Sequence, residues 1–279
     1  MKIVSTQEIS DCVYRLARKA GVTLTDSCRA ALSEAEKTET GAAKFALSAL
    51  LENEKIARRE NMPVCQDTGM SVVLVELGQD VTLSGAPLSE AVNDGVRRAY
   101  ADGNFRKSIC DPLTRENTGD NTPAHLHVDL VAGERLSVSF LPKGFGSENM
   151  SRICMLTPAE GREGILRAIT ETVRLAGSRP CPPVYVGVGI GGAFDGCALL
   201  AKKALLRAVG ERHPRADVAG IEEEALARIN ALGIGAQGFG GRTTALGVAC
   251  EIAPTHIAGL PVAVNIQCHC VRCAREDLL

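Results

Sequence analysis

The chain has 279 residues, 45% of them hydrophobic, with 31 Lys plus Arg against 33 Asp plus Glu, so it has ample material for a packed core and little reason to be disordered. A net charge of −2 provides no field to gather nucleic acid or an anionic membrane surface, and neither partner is expected. The opening Met1-Lys2-Ile3-Val4-Ser5 runs straight into a polar helical pattern, without the apolar core of a secretory signal. No apolar stretch approaches the ~20 residues of a membrane span, so a cytoplasmic location is expected. Eleven cysteines exceed what packing needs in a compartment where disulfides are rare, so some thiolates are expected to bind metal.

The chain opens with helices. Ser5 and Glu8 suit a capping box, Ile9, Cys12, Val13, Leu16 and Ala20 recur at helical spacing, and Gly21 stands where a C-terminal cap belongs. A second helix follows Asp26, and a third runs from about Gly41 to Asn61. It delivers the chain to Pro63-Val64-Cys65-Gln66-Asp67-Thr68-Gly69, which sets a thiol, an amide, a carboxylate and a hydroxyl side by side on a turn. Ser71 to Leu77 is β-branched and apolar, the pattern of a buried strand. A helix from Pro87 to Asp102 is stopped by Gly103. Beyond it, Asn104 to Ser108 and Asn117-Thr118-Gly119-Asp120-Asn121-Thr122-Pro123 form a loop dense in hydrogen-bonding groups.

His125, His127 and Asp129 alternate with apolar residues, turn at Ala132-Gly133-Glu134 and return as Leu136 to Phe140, the period of an antiparallel hairpin. His125 and His127 share one face, either as a metal pair or as ordinary residues of a half-exposed strand. Lys143-Gly144-Phe145-Gly146-Ser147-Glu148-Asn149 follows, and its glycines favour a backbone nest for a carboxylate ligand. Thr157-Pro158-Ala159-Glu160 starts a long helix that ends at Gly177. Cys181 is then expected in an extended loop between prolines.

Gly187-Val188-Gly189-Ile190-Gly191-Gly192 fits G-x-G-x-x-G, as does Gly233 to Gly238. In a chain with 28 glycines such matches come cheaply, and tight strand-to-helix turns are the preferred reading over a dinucleotide site. A helix from about Ala216 to Leu232 precedes two strands, Thr243 to Ile252 and Pro261 to Gln267, with Pro254-Thr255-His256 on their connection. Nothing in the composition divides the chain. It reads as one domain over 1–279 of mixed α/β (α+β) class, with a helical N-terminal portion followed by mixed β-sheets with flanking helices.

Cys65, Cys181 and Cys268 are each a loop thiol next to a strand. Distant single thiolates converging on one site suit a cluster better than a closed zinc site, and three of them on a cubane leave one iron open as a Lewis acid. The terminal Cys268-x-Cys270-x-x-Cys273 is a competing local chelate that lacks a fourth ligand. An electron-transfer protein with four thiolates and an NAD-dependent oxidoreductase are the readings from other classes.

Nearly the whole chain resembles the iron-sulfur hydro-lyases that comprise class I fumarases and L-tartrate dehydratase, and specifically the alpha subunit of their two-subunit forms. The resemblance rests on Cys65 to Gly69, Asn117 to Pro123, Lys143 to Asn149, the Pro-Pro and glycine-rich segment after Cys181, and Asn265-Ile266-Gln267-Cys268. It implies a [4Fe-4S] cluster with one labile iron on Cys65, Cys181 and Cys268. It also implies substrate contacts from Gln66 and Asp67, a carboxylate-binding Arg106, a substrate-loop Gly146 and a proton-relay His256, with Asp67 and His256 as the catalytic pair. The implied reaction is hydration of fumarate to L-malate, with L-tartrate or mesaconate as alternative substrates. The implied partners are a beta subunit that completes the site and a second alpha chain, in an alpha2beta2 assembly. The chain departs from the pattern at Phe145, where the family usually has Gly, and at His269, where an aromatic residue often follows the last cluster cysteine.

Overall fold

The computed structural model describes residues 2–279. In chain order the elements are β1 (Lys2–Ser5), α1 (Thr6–Val22), α2 (Asp26–Thr38), α3 (Gly41–Glu60), β2 (Met70–Gly78), β3 (Val81–Ser84), α4 (Leu88–Asp102), β4 (His125–Val131), β5 (Leu136–Lys143) and the single turn α5 (Phe145–Glu148). Then come β6 (Arg152–Leu156), α6 (Gly161–Ala176), β7 (Val184–Gly192), α7 (Phe194–Ala204), α8 (Ala216–Asn230), β8 (Ala245–Thr255), β9 (Leu260–Gln267) and β10 (Ala274–Asp277). The mixed α+β class and the helical N-terminal portion are as expected. The chain packs into two compact units interleaved in sequence: Met1–Thr25, Asn53–Phe145 and Arg272–Leu279 form one, Asp26–Glu52 and Gly146–Val271 the other.

In the first unit a four-stranded sheet runs in the order β10-β5-β2-β4. The hairpin expected over 125–140 does not form: β4 pairs parallel with β2, and β5 pairs antiparallel with its other edge. Val72 to Val75 are all buried, and a strand covered on both faces takes the centre of a sheet, where neighbours on both sides satisfy its backbone. Ile9, Val13 and Leu16 of α1 and Val92 and Val96 of α4 pack with Val73, Val75, Val138 and Phe140 in its core. Gly21 is not the expected cap. It lies inside α1, and a Cβ there would run into the Phe105 ring.

In the second unit the sheet order is β6-β9-β7-β8. Helices α6 and α8 share a core with the sheet through Leu166, Ile169, Val173, Ala225 and Ile229. Helix α7 packs through Cys197 and Ala201 against Ala263 of β9. The glycine-rich run expected to be a strand-to-helix turn is strand interior: a Cβ on Gly187 or Gly189 would strike the Ala201 or Cys197 carbonyl of α7. These glycines are small so that a helix can press on the strand. The turn comes only at Gly191 and Gly192, with φ of 88° and 69°.

Candidate metal centre and substrate turn

In the first unit the turn before β2 is held from every side. Val64 N–H donates to Gly21 O at 3.0 Å, and Asn53 Nδ2 donates to Val64 O at 2.9 Å. Cys65 is partly exposed, with its Sγ 3.3 Å from Gln66 Oε1, and Gln66 is exposed. Asp67 uses both carboxylate oxygens: Oδ1 accepts Gly69 N–H at 3.0 Å and Oδ2 accepts Phe145 N–H at 2.9 Å. The expected nest is therefore occupied, and the carboxylate in it belongs to Asp67. This also accounts for Gly144, where a Cβ would sit 3.1 Å from Asp67 Oδ2. At Gly69, φ is 82° and a Cβ would come within 2.7 Å of Lys143 N, so no other residue fits.

Arg106 joins this group through its main chain. Thr68 Oγ1 donates to Arg106 O at 2.8 Å, and Arg106 is an exposed residue. Asn121, fully buried in the left-handed region at φ 65°, accepts Ser108 N–H at 2.8 Å and donates to Gly69 O at 3.2 Å. Tyr100, also buried, donates its hydroxyl to the carbonyl pair Thr68 O and Gly69 O, at 2.8 and 2.9 Å. The side-chain roles of Asn121 and Tyr100 were not assigned from the sequence. Asn121 stands in a polar run that signals a bonded loop, whereas Tyr100 sits in a helical pattern and gives no such signal.

In the second unit the register of β7 with β9 pairs Tyr185 with Gln267. Cys181, just before β7, and Cys268, just after β9, therefore lie at the same end of that sheet. They are tied together by His269, whose N–H donates to Cys181 O at 3.2 Å and whose Nδ1 lies 3.1 Å from the same carbonyl. Cys181 is not in the extended backbone expected before a proline: its φ is 54°, and its N–H closes a turn on Ser178 O at 3.0 Å. The second glycine-rich stretch serves this loop. Gln237 donates to Pro182 O through its backbone at 2.7 Å and through Nε2 at 2.8 Å, and its Nε2 is 3.2 Å from His269 Nδ1.

His256 is elsewhere. Residue pairs of parallel β7 and β8 run from Val184↔Ala245 to Gly192↔Thr255, so His256 lies at the opposite end of the sheet from Cys181 and Cys268, roughly 25 Å away at ~3.3 Å per residue. There it edges a cleft of about 740 Å³ with Arg162, Asp217 and Ile257, and its Nδ1 accepts Ala258 N–H at 3.2 Å. Gly146 is exposed, and a Cβ on it would meet only Arg179 O at 3.9 Å, so the position does not require glycine.

By chemistry alone, loop thiols are the donor type that an iron-sulfur cluster takes. Cys65 and Cys268 are partly exposed and Cys181 is exposed, each in a loop at a strand end; Cys110, Cys154 and Cys273 are partly exposed as well, and Cys12, Cys28, Cys197, Cys250 and Cys270 are buried. Cys270 is 1% exposed, and burial pushes the thiol of the partly exposed Cys273 up to about 11. Among the described residues no group of three or more His, Cys, Asp or Glu side chains is arranged to hold a metal ion. His125 and His127 are residues of the edge strand β4.

The chain belongs to the fumarate hydratase (Fumerase) family, which it matches over residues 10–276, and it is an enzyme of the hydro-lyase class. It is 44% identical over 268 residues, covering 94% of each chain, to a provisionally named L(+)-tartrate dehydratase subunit alpha of Methanocaldococcus jannaschii. It is 32% identical over 240 residues, 85% of this chain and 78% of the other, to the L(+)-tartrate dehydratase subunit alpha of Escherichia coli strain K12. No helix among the described residues is long and apolar enough to cross a membrane.

Proposed function

We propose that this chain, acting as one catalytic domain over 1–279, is the alpha subunit of a two-subunit cytoplasmic hydro-lyase that reversibly hydrates fumarate to L-malate. The observation that carries this reading is the placement of Cys181 and Cys268 at one sheet end, outside the core, in a chain whose family match spans both. Cys65, Cys181 and Cys268 would hold a [4Fe-4S] cluster with one labile iron, which when bound supplies a Lewis acid for the substrate's oxygens.

The other roles fall to the chain's own residues. Arg106, exposed and anchored by its carbonyl, grips a substrate carboxylate with its two-pronged fork. Gln66 offers an amide to the substrate, and the loop at Gly146 borders it. Asp67, fixed by Gly69 and Phe145, takes or returns a proton at its carboxylate. His256, if it relays a proton, does so for the site of another chain. One Arg does not offset the burial of two substrate carboxylates, which supports a beta subunit that adds cations, within an alpha2beta2 assembly.

L-Tartrate dehydration is the second reading, favoured by the names of the relatives. Mesaconate is a third candidate substrate. The test is anaerobic reconstitution with iron and sulfide, followed by absorbance at the double bond with fumarate, L-tartrate and mesaconate, with and without the candidate beta chain. Turnover only by the pair, and fastest with fumarate, is expected. Equal turnover by the alpha chain alone would remove the two-subunit reading, and a preference for L-tartrate would replace the substrate.

A further inference from the structure

Among the largest fully buried side chains is a charged one, Arg272, 2% exposed in the first unit. A methionine or leucine would fill such a space without the desolvation that a guanidinium incurs, so packing does not account for an arginine. Its bonding offers a reason. Arg272 Nη2 donates to the main-chain carbonyl of Asp67. Its charge also acts on the buried Tyr100 hydroxyl, opposite in sense to that of Asp67.

Three consecutive carbonyls of the turn, at Asp67, Thr68 and Gly69, are thus held from within by Arg272, Tyr100 and Asn121. With the Asp67 carbonyl tied down, the 67–68 peptide plane is fixed. The Asp67 side chain then keeps the reach that lets it accept from Gly69 and Phe145 at once.

We propose that Arg272 is a positioning residue for the Cys65-Gln66-Asp67 turn, clamping the Asp67 carbonyl so that the Cys65 thiol and the Asp67 carboxylate keep one direction. The proposal rests on the reading of Cys65 as a ligand and of Gln66 and Asp67 as substrate contacts, and it adds a residue five positions before the last described strand residue, Asp277. A fork that donates to a carbonyl while remaining charged is a property that neither Met nor Gln reproduces.

The test is amide hydrogen exchange by mass spectrometry on the full chain, with iron retained per chain after reconstitution as a second readout. In Arg272→Met, the peptide over 63–70 and the Phe145 amide are expected to exchange at least fivefold faster, with β7 and β9 unchanged and iron lost on desalting. Arg272→Lys, which still donates to the carbonyl, is expected to recover at least half of the protection. Wild-type exchange at the turn in Arg272→Met overturns the proposal. So does uniform loosening of β2 and β5 that Arg272→Lys does not rescue, since Arg272 would then be core filler. Should the Met variant not fold, Arg272→Gln, which loses the charge and the reach of the fork, takes its place: faster exchange at the turn than in wild type is expected, and wild-type exchange overturns the proposal. Exchange needs neither cluster nor substrate. A wild-type chain that never binds iron would therefore remove the cluster reading and leave the clamp standing.

Discussion

Asp67 Oδ2 accepts the backbone N–H of Phe145 at 2.9 Å, across 78 residues of sequence. That bond joins the turn carrying Cys65 to the loop that follows β5. It gives the Asp67 carboxylate a structural duty beside any chemical one.

Asp67→Ala is expected to leave two N–H groups, of Gly69 and Phe145, without acceptors, and so to destabilise the chain by about 1–3 kcal/mol. Asp67→Asn keeps one acceptor oxygen and is expected to lie between. Thermal unfolding of the three chains checks the order, and equal midpoints would show that water replaces the carboxylate at no cost.

Cys65→Ser, Cys181→Ser and Cys268→Ser are each expected to abolish iron retention after anaerobic reconstitution. Cys270→Ser buries a more polar hydroxyl at a position 1% exposed and is expected to lower stability by about 1–2 kcal/mol while leaving the iron content unchanged. Iron and sulfide analysis beside thermal unfolding separates the two effects. Loss of iron in Cys270→Ser with unchanged stability would move the metal to the terminal run.

His256 and the Cys181–Cys268 end of its sheet are too far apart to act together in one chain. Mixed dimers of His256→Ala and Cys181→Ser copies, each inactive alone, are therefore expected to recover roughly a quarter of wild-type hydration for a twofold assembly. No recovery at any mixing ratio would strike His256 from the catalytic set.

Phe145 is half exposed, so a place in the core does not explain the ring. Its N–H bonds Asp67, one of the two proposed substrate contacts on the turn. Phe145→Gly is expected to raise kcat/KM for L-tartrate relative to fumarate several-fold, because removing the ring admits a second hydroxyl and its water. An unchanged ratio with both activities intact would show that the ring faces away.

Burial acts to raise the Glu76 carboxyl, but the Ser137 hydroxyl and the Arg275 and Arg135 guanidiniums outweigh it and hold it below its ordinary value of 4.5. A depressed carboxyl contributes stability above pH 4.5 that is lost as the pH falls through the lower folded value. Glu76→Gln is expected to be less stable at neutral pH and to show a shallower decline below pH 4.5. Parallel acid-unfolding curves would assign the decline to other carboxylates.

Much of this was legible in the residues. The helices over 6–22, 41–60, 88–102 and 161–176 are legible in their periodicity, although Gly21 is no cap and α5 has no counterpart in that reading, and the turn at Cys65 is legible in its chemistry. What was not legible was set by partners distant in sequence. The 125–140 hairpin failed because β2, laid down earlier, takes the place between β4 and β5. The glycines of β7 imitate a phosphate loop but answer to α7, which follows them. Cys181 lies in the left-handed region because Ser178 and His269 hold it there, and the His269 bond comes from a segment nearly ninety residues away. Arg272 gave no signal, since an arginine near a polar run reads as a surface charge until its burial is seen.

The strand pairing of the first unit also fixes an order of assembly. Ala274 pairs with Phe140, and most of the second unit, Gly146–Val271, is threaded between them in sequence. As the chain leaves the ribosome, the β10 edge of that sheet stays open until the intervening residues have been made, and closing so long a loop is costly unless they have already collapsed into structure of their own. The later-made unit is thus the one that can mature first, and Arg272, on the same closing segment, arrives at the Asp67 turn only after residues 146–271 have been made. A nascent chain stalled before residue 272 would carry Cys65 on a turn not yet locked.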